Sequence, residues 1–464
     1  MRRASGYAAD VSRPYNEAYE QDGSARPHYA ELLAALTEPG ALAATVGERL
    51  RQRGVTFGAA PGGFLALDPV PRLITGDEWS ELQVGIAQRL RALDAFVADV
   101  YGDGRILEAG VVPRRAVEGS EHYEPAMRGA QPGRWIAIAG LDVVRGADGR
   151  FCVIEDQLRM PSGLAYAVAA RETLRDVLPV APPATDLGLA FGELALALRD
   201  AAPPGVDEPS AVVLSEGPQD GGWWEHERLA RELCAPAVTL SDLEQRDGRL
   251  VAWIDGRARA VDVVYQRTTE DRFTGADGKL TPLGAALLGP CSAGRLACVN
   301  APGSGVADDK LVHGYVDAMV RFYLDEEPLL PSVPSYDLGD DEARAEALGR
   351  LDELVVKPRG EMGGEGVVLW GSADQATRER TRAAFEREPE RFVAQELITL
   401  SVHPTVCDGV LAPRHVDLRP YALLSDEGVR ILPGGLSRVA LEEGSMVVNS
   451  GQGGGVKDTW VPEV

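Results

Sequence analysis

The chain has 464 residues, 45% of them hydrophobic and 25% charged, which is the composition of a globular protein large enough for two or three domains. Its formal net charge of -24 is opposite to the basic surface that nucleic-acid binding requires, so we expect no nucleic-acid partner. The five cysteines include no CxxC pair, and there is no apolar leader and no stretch of ~18 apolar residues, so we expect a cytoplasmic protein without a zinc site, a disulfide framework or a membrane partner.

Hydrophobic periodicity predicts helices first and a β-hairpin after them. Apolar residues recur at helical spacing over 29–53 and 77–101, and residues 135–145 and 150–157 then form two strand-like runs joined by a short turn. The Pro-rich segment 179–184 predicts a linker. Beyond the linker, the pattern predicts helices at 187–200, 223–234 and 309–324, and strands at 211–217 and 261–267.

The C-terminal part is predicted to be rich in strands. Residues 331–345 contain several Pro and Asp residues and predict a second boundary, after which short strands alternate with turns. Together these elements predict an α+β (α/β) protein whose lobes clamp a cleft.

The predicted hairpin carries a candidate metal site. Glu155 and Gln157 share one face of the second strand because side chains alternate along a strand. If the hairpin closes symmetrically about its Ala-Asp turn, Asp142 stands opposite Val153 and one diagonal step from Glu155. Two carboxylates and an amide oxygen are hard ligands that suit Mg²⁺ or Mn²⁺. Ordinary solvated strand residues would give the same pattern.

A glycine-rich loop follows Lys357 within the segment 355–371. Glycines let backbone N–H groups approach phosphate oxygens, and a lysine adds a positive charge. The segment has no GxxxxGK[ST] motif and leads into a strand instead of a helix, which argues against Walker A and Rossmann loops. A glycine-rich hairpin with one exposed lysine is the simpler alternative.

Two neighbouring strands carry further polar candidates. An apolar strand at 391–401 is interrupted by a Gln-Glu pair, and alone it resembles an ordinary edge strand. In the next strand His415, Asp417 and Arg419 share a face, and Arg419 could bind phosphate through two N–H groups. A salt-bridged sheet face is an equal alternative.

Two more glycine-rich loops each contain a lysine. Residues 447–460 include Asn449 and Lys457 and predict either a ligand loop or a flexible tail. Residues 303–310 end in Lys310 at the start of a predicted helix.

Taken together, these segments resemble the ATP-grasp superfamily. Lys310, Lys357 with its glycine loop, and the Gln-Glu-Leu segment 395–397 are similar to its first lysine, its lid and its adenine hinge. Residues 140–163 resemble its metal-binding hairpin, but here they precede the lid instead of following it. This reversed order resembles the circularly permuted ATP-grasp proteins, a bacterial family described by analogy with glutathionylspermidine synthase. Further segments that agree are RPHYAEL, FVADVYGDGRIL, EPAMRG, NAPGSGVADDK, APRHVDLRPY, LPGGLSRVAL and VVNSGQGGGVKDTW.

The resemblance implies a circularly permuted ATP-grasp fold and an ATP-dependent ligase. Such a ligase phosphorylates a small-molecule or peptide carboxylate with ATP and Mg²⁺ (or Mn²⁺), and an amine then attacks the acyl phosphate, which releases phosphate. A non-catalytic ATP-binding scaffold and a phosphotransferase that stops at a phosphorylated product are the alternatives. Oligomeric state stays open, with a homo-oligomer among the options.

The resemblance also implies a division of the chain and a set of site residues. The regions are an N-terminal helical segment (1–60), the metal-binding part of the ATP-grasp module (61–184), a smaller pre-ATP-grasp-like α/β domain (185–302) and the nucleotide-binding lobe (303–464). The implied roles are catalysis by Arg419, Asn449 and Lys457; ATP binding by Lys310, Lys357, Gly363, Gly364, Gly366, Gln395, Glu396 and Leu397; metal binding by Asp142, Glu155 and Gln157; and substrate binding by Arg159, Ser162 and Arg438.

Three positions depart from the family pattern. Gln157 stands where an asparagine is usual, residues 266–271 replace an R-R-x-D-D-like stretch, and Glu365 occupies a lid position where a small or aromatic residue is commoner.

Overall fold

The computed structural model of the protein describes residues 13–58, 63–183, 187–268, 271–360, 366–449 and 453–462. Within these ranges the strands are β1 (Arg72–Leu73), β2 (Ile138–Arg145), β3 (Phe151–Gln157), β4 (Ala211–Leu214), β5 (Ala237–Val238), β6 (Leu243–Arg246), β7 (Arg249–Ile254), β8 (Arg257–Val261), β9 (Val263–Gln266), β10 (Ala297–Val299), β11 (Ser335–Asp337), β12 (Leu354–Pro358), β13 (Val368–Leu369), β14 (Phe392–Glu396), β15 (Val402–Cys407), β16 (Val410–His415), β17 (Arg419–Ser425), β18 (Gly428–Val439) and β19 (Gly455–Trp460).

The helices in the same ranges are α1 (Ala30–Ala35), α2 (Pro39–Gln52), α3 (Gly76–Tyr101), α4 (Arg105–Glu108), α5 (Arg114–Glu118), α6 (Leu164–Val177), α7 (Ala190–Asp200), α8 (Trp223–Glu232), α9 (Pro282–Ser292), α10 (Lys310–His313), α11 (Val316–Leu324), α12 (Asp341–Leu348) and α13 (Gln375–Arg387). Among the described residues, no helix combines the length and the apolar character that crossing a membrane requires.

The largest sheet has six strands in the order β1-β19-β18-β17-β2-β3. The β1–β19 pair is parallel and the other four pairs are antiparallel. Alternate residues of β17 face opposite ways: Ala422 and Leu424 belong to the core that contains α3, whereas Tyr421 and Leu423 belong to the core that contains α6. The sheet is therefore covered on both faces, and every residue of β2 is buried.

The hairpin of β2 and β3 differs in register from the sequence-based prediction. Asp142 pairs with Glu155 and Val143 pairs with Val153, so a bulge places one extra residue on β3 between these pairs. The predicted pairing of Asp142 with Val153 is wrong for this reason. The bulge sets the two carboxylates directly opposite each other, where the Cβ atoms of paired residues lie ~5 Å apart.

Two smaller units flank this sheet. Residues 187–299 contain the parallel sheet β10-β9-β4-β5, with helices α7 to α9 packed against it. Residues 335–396 contain the antiparallel sheet β11-β14-β12-β13, whose small core includes Leu354, Val356 and Phe385. The mixture of helices, parallel strands and antiparallel strands confirms the predicted fold class. The division of the chain at residues 60, 184 and 302 stays a prediction.

Several element boundaries differ from those predicted. The pattern at 29–53 is two helices because Pro39 begins α2, and the pattern at 309–324 is interrupted at Gly314 between α10 and α11. The segment 331–345, predicted as a boundary, contains β11 and the start of α12. The predicted helices at 77–101, 187–200 and 223–234 are confirmed as α3, α7 and α8, with small shifts at their ends.

The sequence pattern does not predict the helices α6, α9, α12 and α13. In α6, ten of the 14 residues are buried, and many of them are alanines. Its fully exposed residues are confined to the C-terminal end, whereas α9 and α12 do not sort polar and apolar residues onto opposite faces, so the amphipathic signal is weak in those two helices.

Candidate active site

Two arginines from neighbouring strands hold Asp142. Oδ1 of Asp142 accepts hydrogen bonds from Nε and Nη2 of Arg419 at 2.8 and 2.7 Å. Its Oδ2 lies 2.8 Å from Nη2 of Arg438, whose Nε also donates to Asp417 at 2.9 Å. Gly140 leaves room for this arrangement, because a Cβ there would lie 3.3 Å from Cδ of Arg419. One buried face of the sheet therefore carries two carboxylates and two guanidinium groups in contact with one another.

Glu155 interacts with two lysines that lie much later in the chain. Its Oε1 is 3.2 Å from Nζ of Lys310, the first residue of α10. Burial would raise the pKa of Glu155, but Lys310 and Lys357 outweigh it and lower the pKa from 4.5 to about 2. Glu155 is therefore ionised at neutral pH.

Lys357 on β12 connects the small antiparallel sheet to the hairpin. Its Nζ donates to Oε1 of Gln395 on β14 at 2.5 Å, and Nε2 of Gln395 donates to the carbonyl of Ile154 on β3 at 3.3 Å. Burial lowers the pKa of Lys357 from 10.5 to about 8; Glu155 opposes this shift and Lys310 adds to it. The metal-type hairpin and the lysine strand, which are far apart in sequence, meet here in space.

One ion pair positions both lysine-bearing elements. Asp309 caps α10 by accepting from the backbone N–H of Leu311 at 2.9 Å. The same carboxylate accepts from Nε and Nη2 of Arg359 at 3.0 and 2.9 Å. Arg359 follows Lys357 by two residues, and Asp309 precedes Lys310 directly. The bidentate pair therefore fixes the two lysines relative to each other.

A second buried network lies on the opposite face of β3. Asp156 accepts two hydrogen bonds from Arg89 of α3, each 2.7 Å long, and lies 2.8 Å from Nδ1 of His313 in α10. Burial would raise the pKa of Asp156, but Arg89 and His313 hold it well below its usual range. Because Asp156 adjoins Glu155 and His313 belongs to the helix of Lys310, this network positions the Glu155–Lys310 pair from behind.

Two backbone N–H groups of the predicted adenine hinge already have hydrogen-bond partners within the protein. The backbone N–H of Glu396 donates to the carbonyl of Pro334 at 2.9 Å, and that of Leu397 donates to the carbonyl of Glu353 at 3.0 Å. The carboxylate of Glu396 accepts from Arg350 at 2.9 and 3.0 Å. A base that binds through these N–H groups must displace the present bonds, and the adenine contact stays a prediction.

The three predicted substrate residues lie in different surroundings. Arg438 belongs to the Asp142 cluster. Arg159 donates from Nη1 to Asp271 at 2.9 Å and lines a separate cleft. Ser162 is exposed, and its carbonyl accepts from the hydroxyl of Tyr421 at 2.9 Å.

Lys457 lies on the other face of the large sheet. It pairs with Ser437, the neighbour of Arg438, so its side chain points away from the Asp142 cluster. Lys457 is fully buried and forms an ion pair with Asp68, and its Nζ donates to the carbonyl of Pro404 at 3.0 Å. Lys457 therefore lies away from the Asp142 cluster, and its ammonium group stabilises the packing beneath β19.

The predicted strand through His415, Asp417 and Arg419 is wrong as a single element. β16 ends at His415 and β17 begins at Arg419. His415 lies 2.8 Å from the carbonyl of Leu400, whereas Asp417 and Arg419 both reach the Asp142 cluster.

Other predicted residues are only partly described. Gly363 and Gly364, with Glu365 and with Thr269 and Glu270 of the divergent stretch, lie outside the described residues. Gly366 has a φ of +69°. Asn449 accepts a backbone hydrogen bond from Gly454 at 3.1 Å, and its neighbour Val448 packs in the small core that contains Val144 of β2.

The oxygen groups of the hairpin fit a divalent cation. Glu155 and Gln157 share a face with Asp142 opposite, and the Gln157 amide makes no hydrogen bond to a described residue. Oδ2 of Asp142 accepts from one arginine only and retains a second lone pair. Among the described residues, no three His, Cys, Asp or Glu side chains form a metal cluster. The oxygen atoms of two carboxylates and one amide are the ligand type that Mg²⁺ or Mn²⁺ would take, with phosphate oxygens and water as the remaining ligands.

Several residues that position the site are not predicted from the sequence. For Asp309 a signal was present, because an Asp-Asp pair directly before Lys310 is typical of a helix cap. Arg359 carried no signal, because one arginine in a charged chain does not stand out. Asn300 is the first residue of the segment NAPGSGVADDK, and its Oδ1 accepts from the backbone N–H groups of Ala137 and Ile138 at 2.8 and 3.0 Å, which fixes the start of β2.

Comparison with known sequences identifies related proteins. The profile of the family described as circularly permuted ATP-grasp type 2 matches residues 71–440. The chain is 42% identical, over 97% of its length and 54% of the relative's, to a Frankia alni protein named "Putative glutamate--cysteine ligase 2-3". It is 39% identical, over 96% of its length and 84% of the relative's, to a Mycobacterium tuberculosis protein whose name states no activity. The chain therefore spans about half the length of the Frankia relative and most of the mycobacterial one.

A solved structure has a similar fold. The chain matches the apo form of a glutathione synthetase-like effector from Globodera pallida with a TM-score of 0.62 and 12% identity, over 92% of this chain and 99% of the other. At that identity the match shows a shared fold alone.

Proposed function

The chain belongs to the circularly permuted ATP-grasp family, and on that premise we propose that it is an ATP-dependent ligase that joins a carboxylate to an amine through an acyl phosphate. The observation that carries the proposal is the position of Glu155, 3.2 Å from Lys310 and electrostatically coupled to Lys357. It supports a site in which the hairpin and the lysine elements act on the same phosphates.

The local charge supports a polyanionic ligand. Four cationic groups surround the two hairpin carboxylates and Asp417, although the whole chain carries a net charge of -24. These cations are Lys310, Lys357, Arg419 and Arg438. Because the site has more positive than negative groups, its local electrostatic potential attracts anions such as the triphosphate of ATP, although the protein as a whole is acidic.

Each charged group has a distinct part in the proposed reaction. Lys310 and Lys357 act as point charges on phosphate oxygens, as lysines do in other phosphate sites. Arg419 binds Asp142 through Nε and Nη2, while its Nη1 makes only a 3.5 Å contact to the carbonyl of Ser162. Nη1 is therefore the atom best placed to donate to the transferring phosphoryl group.

The hairpin would hold the metal. Bound ATP supplies the phosphoryl group, and Mg²⁺ neutralises phosphate charge. Glu155, Asp142 and Gln157 would bind that ion through oxygen, and the glycine loop at 360–366 would exclude water from the acyl phosphate.

Isotope transfer provides the decisive test. The full chain is incubated with ATP, Mg²⁺ and an ¹⁸O-labelled carboxylate plus an amine; the names of the Frankia relatives make L-glutamate and L-cysteine the first pair to try. An acyl phosphate transfers one carboxylate oxygen to the released phosphate, so we expect ¹⁸O in inorganic phosphate only when the amine is present and turnover is complete.

The outcomes separate the alternatives. ATP binding without ADP formation from any acid–amine pool would indicate a non-catalytic protein. Phosphorus that stays on an organic product in ³¹P NMR would indicate a phosphotransferase. Unlabelled phosphate released at the same rate with and without the acid would contradict the acyl-phosphate mechanism.

A further inference from the structure

The strands β6, β7 and β8 form a three-stranded antiparallel sheet that carries none of the residues assigned to the proposed active site. One face of this sheet packs on the main core through Leu250, Ala252 and Val261, which are buried. The other face carries Val251 and Trp253, and Trp253 is 42% exposed. The sheet therefore has an outer face that lies at the protein surface.

The strand β8 is an open edge of this sheet. It pairs with β7 alone, and no other described residue forms a backbone hydrogen bond with its outer side. Asp255 and Gly256 form the two-residue turn between β7 and β8, with φ of +51° and +71°. In such a hairpin the residues that flank the turn exchange both of their backbone hydrogen bonds, and every second residue after them does the same. The residues between them direct their N–H and C=O groups outward.

This alternation separates two kinds of residue on β8. Arg257 and Arg259 bond to β7, whereas Ala258 and Ala260 direct their backbone groups outward. The side chains alternate in the same way, so the arginines lie on one face and the alanines on the face of Trp253. The open edge therefore has free hydrogen-bonding groups, cations on one side and small apolar side chains on the other.

The two arginines of β8 have no carboxylate partner. Both are exposed, and neither forms a hydrogen bond or an ion pair with a described residue. On the neighbouring β6, by contrast, Arg246 donates to Glu244 at 3.0 Å and lies 4.9 Å from the ring centre of Trp253. In a chain with a net charge of -24, the edge of β8 thus presents uncompensated positive charge. Such charge favours an acidic partner.

A second copy of β8 is a poor partner for this edge. Antiparallel pairing of two β8 strands centred on Ala258 would set Arg257 opposite Arg259 of the other copy. Pairing centred on Arg259 would set that residue opposite itself. Like charges directly opposite each other destabilise a sheet, whereas carboxylates at the same positions would stabilise it.

We propose that the edge of β8 is a docking site for an extended segment of another protein, in which acidic side chains alternate with apolar ones. The segment adds to the sheet as a fourth strand and pairs with the outward backbone groups of Ala258 and Ala260. Its carboxylates lie beside Arg257 and Arg259. Its apolar side chains lie over the two alanines, which are small enough to let them approach Trp253. This interaction goes beyond the proposed ligase reaction and does not depend on it.

Synthetic peptides test the predicted pattern on the full chain without nucleotide. The probe is a fluorescein-labelled heptapeptide in which glutamate alternates with valine and leucine. One comparison peptide has lysine in place of glutamate, and another has the same composition with its glutamates in one block. We expect saturable binding of the alternating peptide by fluorescence anisotropy, and binding weaker by about tenfold for both comparisons. Added salt should weaken the binding, because the charges are exposed.

Hydrogen exchange locates the bound strand. The amides of Ala258 and Ala260 have no acceptor among the described residues and should exchange quickly in the free protein. An added strand supplies acceptors, so these amides should slow in the complex, whereas those of Arg257 and Arg259 should change less. Mass spectrometry with fragmentation to single residues provides the measurement.

Variants test the two halves of the recognition. Arg257→Glu combined with Arg259→Glu should raise the Kd of the glutamate peptide about tenfold and should allow the lysine peptide to bind instead. Ala260→Pro removes one outward N–H without removing a hydrogen bond to β7, and should also weaken binding about tenfold. Arg231→Glu is the matched control, because Arg231 is an exposed arginine of α8 that has no partner among the described residues either.

Several results would overturn the proposal. These are no saturable binding of the alternating peptide, equal binding of the block peptide, an unchanged Kd in both the double variant and Ala260→Pro, or an equal loss in Arg231→Glu. A dimer of the free protein in sedimentation that Ala260→Pro abolishes would assign the edge to a second copy instead. Loss of ATP turnover would count against the ligase function alone.

Discussion

Glu155 and Lys310 form a 3.2 Å ion pair that joins the metal-type hairpin to the helix of the first lysine. The pair is anchored from behind by the contact of Asp156, which follows Glu155 directly, with His313, which lies three residues after Lys310 in α10. The two residues that the proposed chemistry needs most are thus held before any ligand arrives, which is the preorganisation that electrostatic catalysis requires.

Replacing Glu155 by glutamine should abolish most turnover. The substitution removes the charge that lies between Lys310 and Lys357 and one of the proposed metal ligands. We expect kcat for ADP formation to fall by about 100-fold or more, with thermal unfolding used to verify the fold. Asp148→Asn is the control, because Asp148 lies in the turn of the same hairpin and pairs with Arg150. Equal activity of the two variants would remove Glu155 from the site.

Nucleotide affinity should depend on the charge of Lys357. Its pKa of about 8 lies below the ordinary value, so the ammonium is present below pH 8 and is lost as the pH rises through that value. We expect the ATP Kd to rise between pH 7 and pH 9. Lys357→Arg keeps its charge throughout and should remove this dependence. Calorimetric titrations at several pH values provide the measurement, and an identical pH profile in the arginine variant would contradict the assignment.

Arg419→Ala should reduce kcat more than it raises the KM for ATP. Its Nη1 is proposed to act on the phosphoryl group during transfer, so its loss affects the transition state in particular. We expect kcat to fall by about 100-fold. Arg430→Ala on β18 of the same sheet is the control, because Arg430 is 53% exposed and pairs with Glu193. A change confined to KM would point to ground-state binding instead.

Lys457→Met should lower the free energy of unfolding and leave kcat nearly unchanged. The substitution leaves Asp68 buried without its ammonium partner. Breaking a buried pair in this way costs about 3–5 kcal/mol of unfolding free energy. We expect kcat per folded molecule to stay within about twofold, because Lys457 points away from Asp142. Urea unfolding combined with active-site titration separates the two effects, and a large loss of kcat at unchanged stability would restore Lys457 to a catalytic role.

Acid should weaken the fold partly through Glu17. Burial would raise the pKa of Glu17, but Arg72 and Arg145 lower it from 4.5 to about 2. The stability that this carboxylate contributes is therefore complete above pH 4.5 and is lost as the pH falls toward 2. We expect the difference in unfolding free energy between wild type and Glu17→Gln to narrow by about 2 kcal/mol between pH 5 and pH 3. Glu20→Gln, at an exposed pair with Arg26, should show no such change.

Which residues lie near one another was predicted from the sequence better than the register of the strands that carry them. Local patterns placed Asp142, Glu155 and Gln157 on one hairpin face, and family resemblance connected them to Lys310 and Lys357. The register was missed because a single bulge residue leaves no mark on the alternation of neighbouring side chains.

The remaining differences also have physical causes. Lys457 next to a glycine run gives the same local pattern in a ligand loop and in a strand, and only the pairing with β18 shows which way it points. Asp309 and Arg359 come together through tertiary packing, and no spacing within the chain encodes that contact.

The position of β19 between β1 and β18 determines how early during synthesis β1 can pair with the sheet. β1 is an edge strand that reaches the large sheet through β19, so it has no sheet to join until residues 455–460 have left the ribosome. Arg72 and Asp68, which are buried in the finished fold, must wait for most of the chain to be made. Contacts across so long a separation form slowly, and a nascent chain truncated before β19 would present an open sheet edge that invites association with other chains.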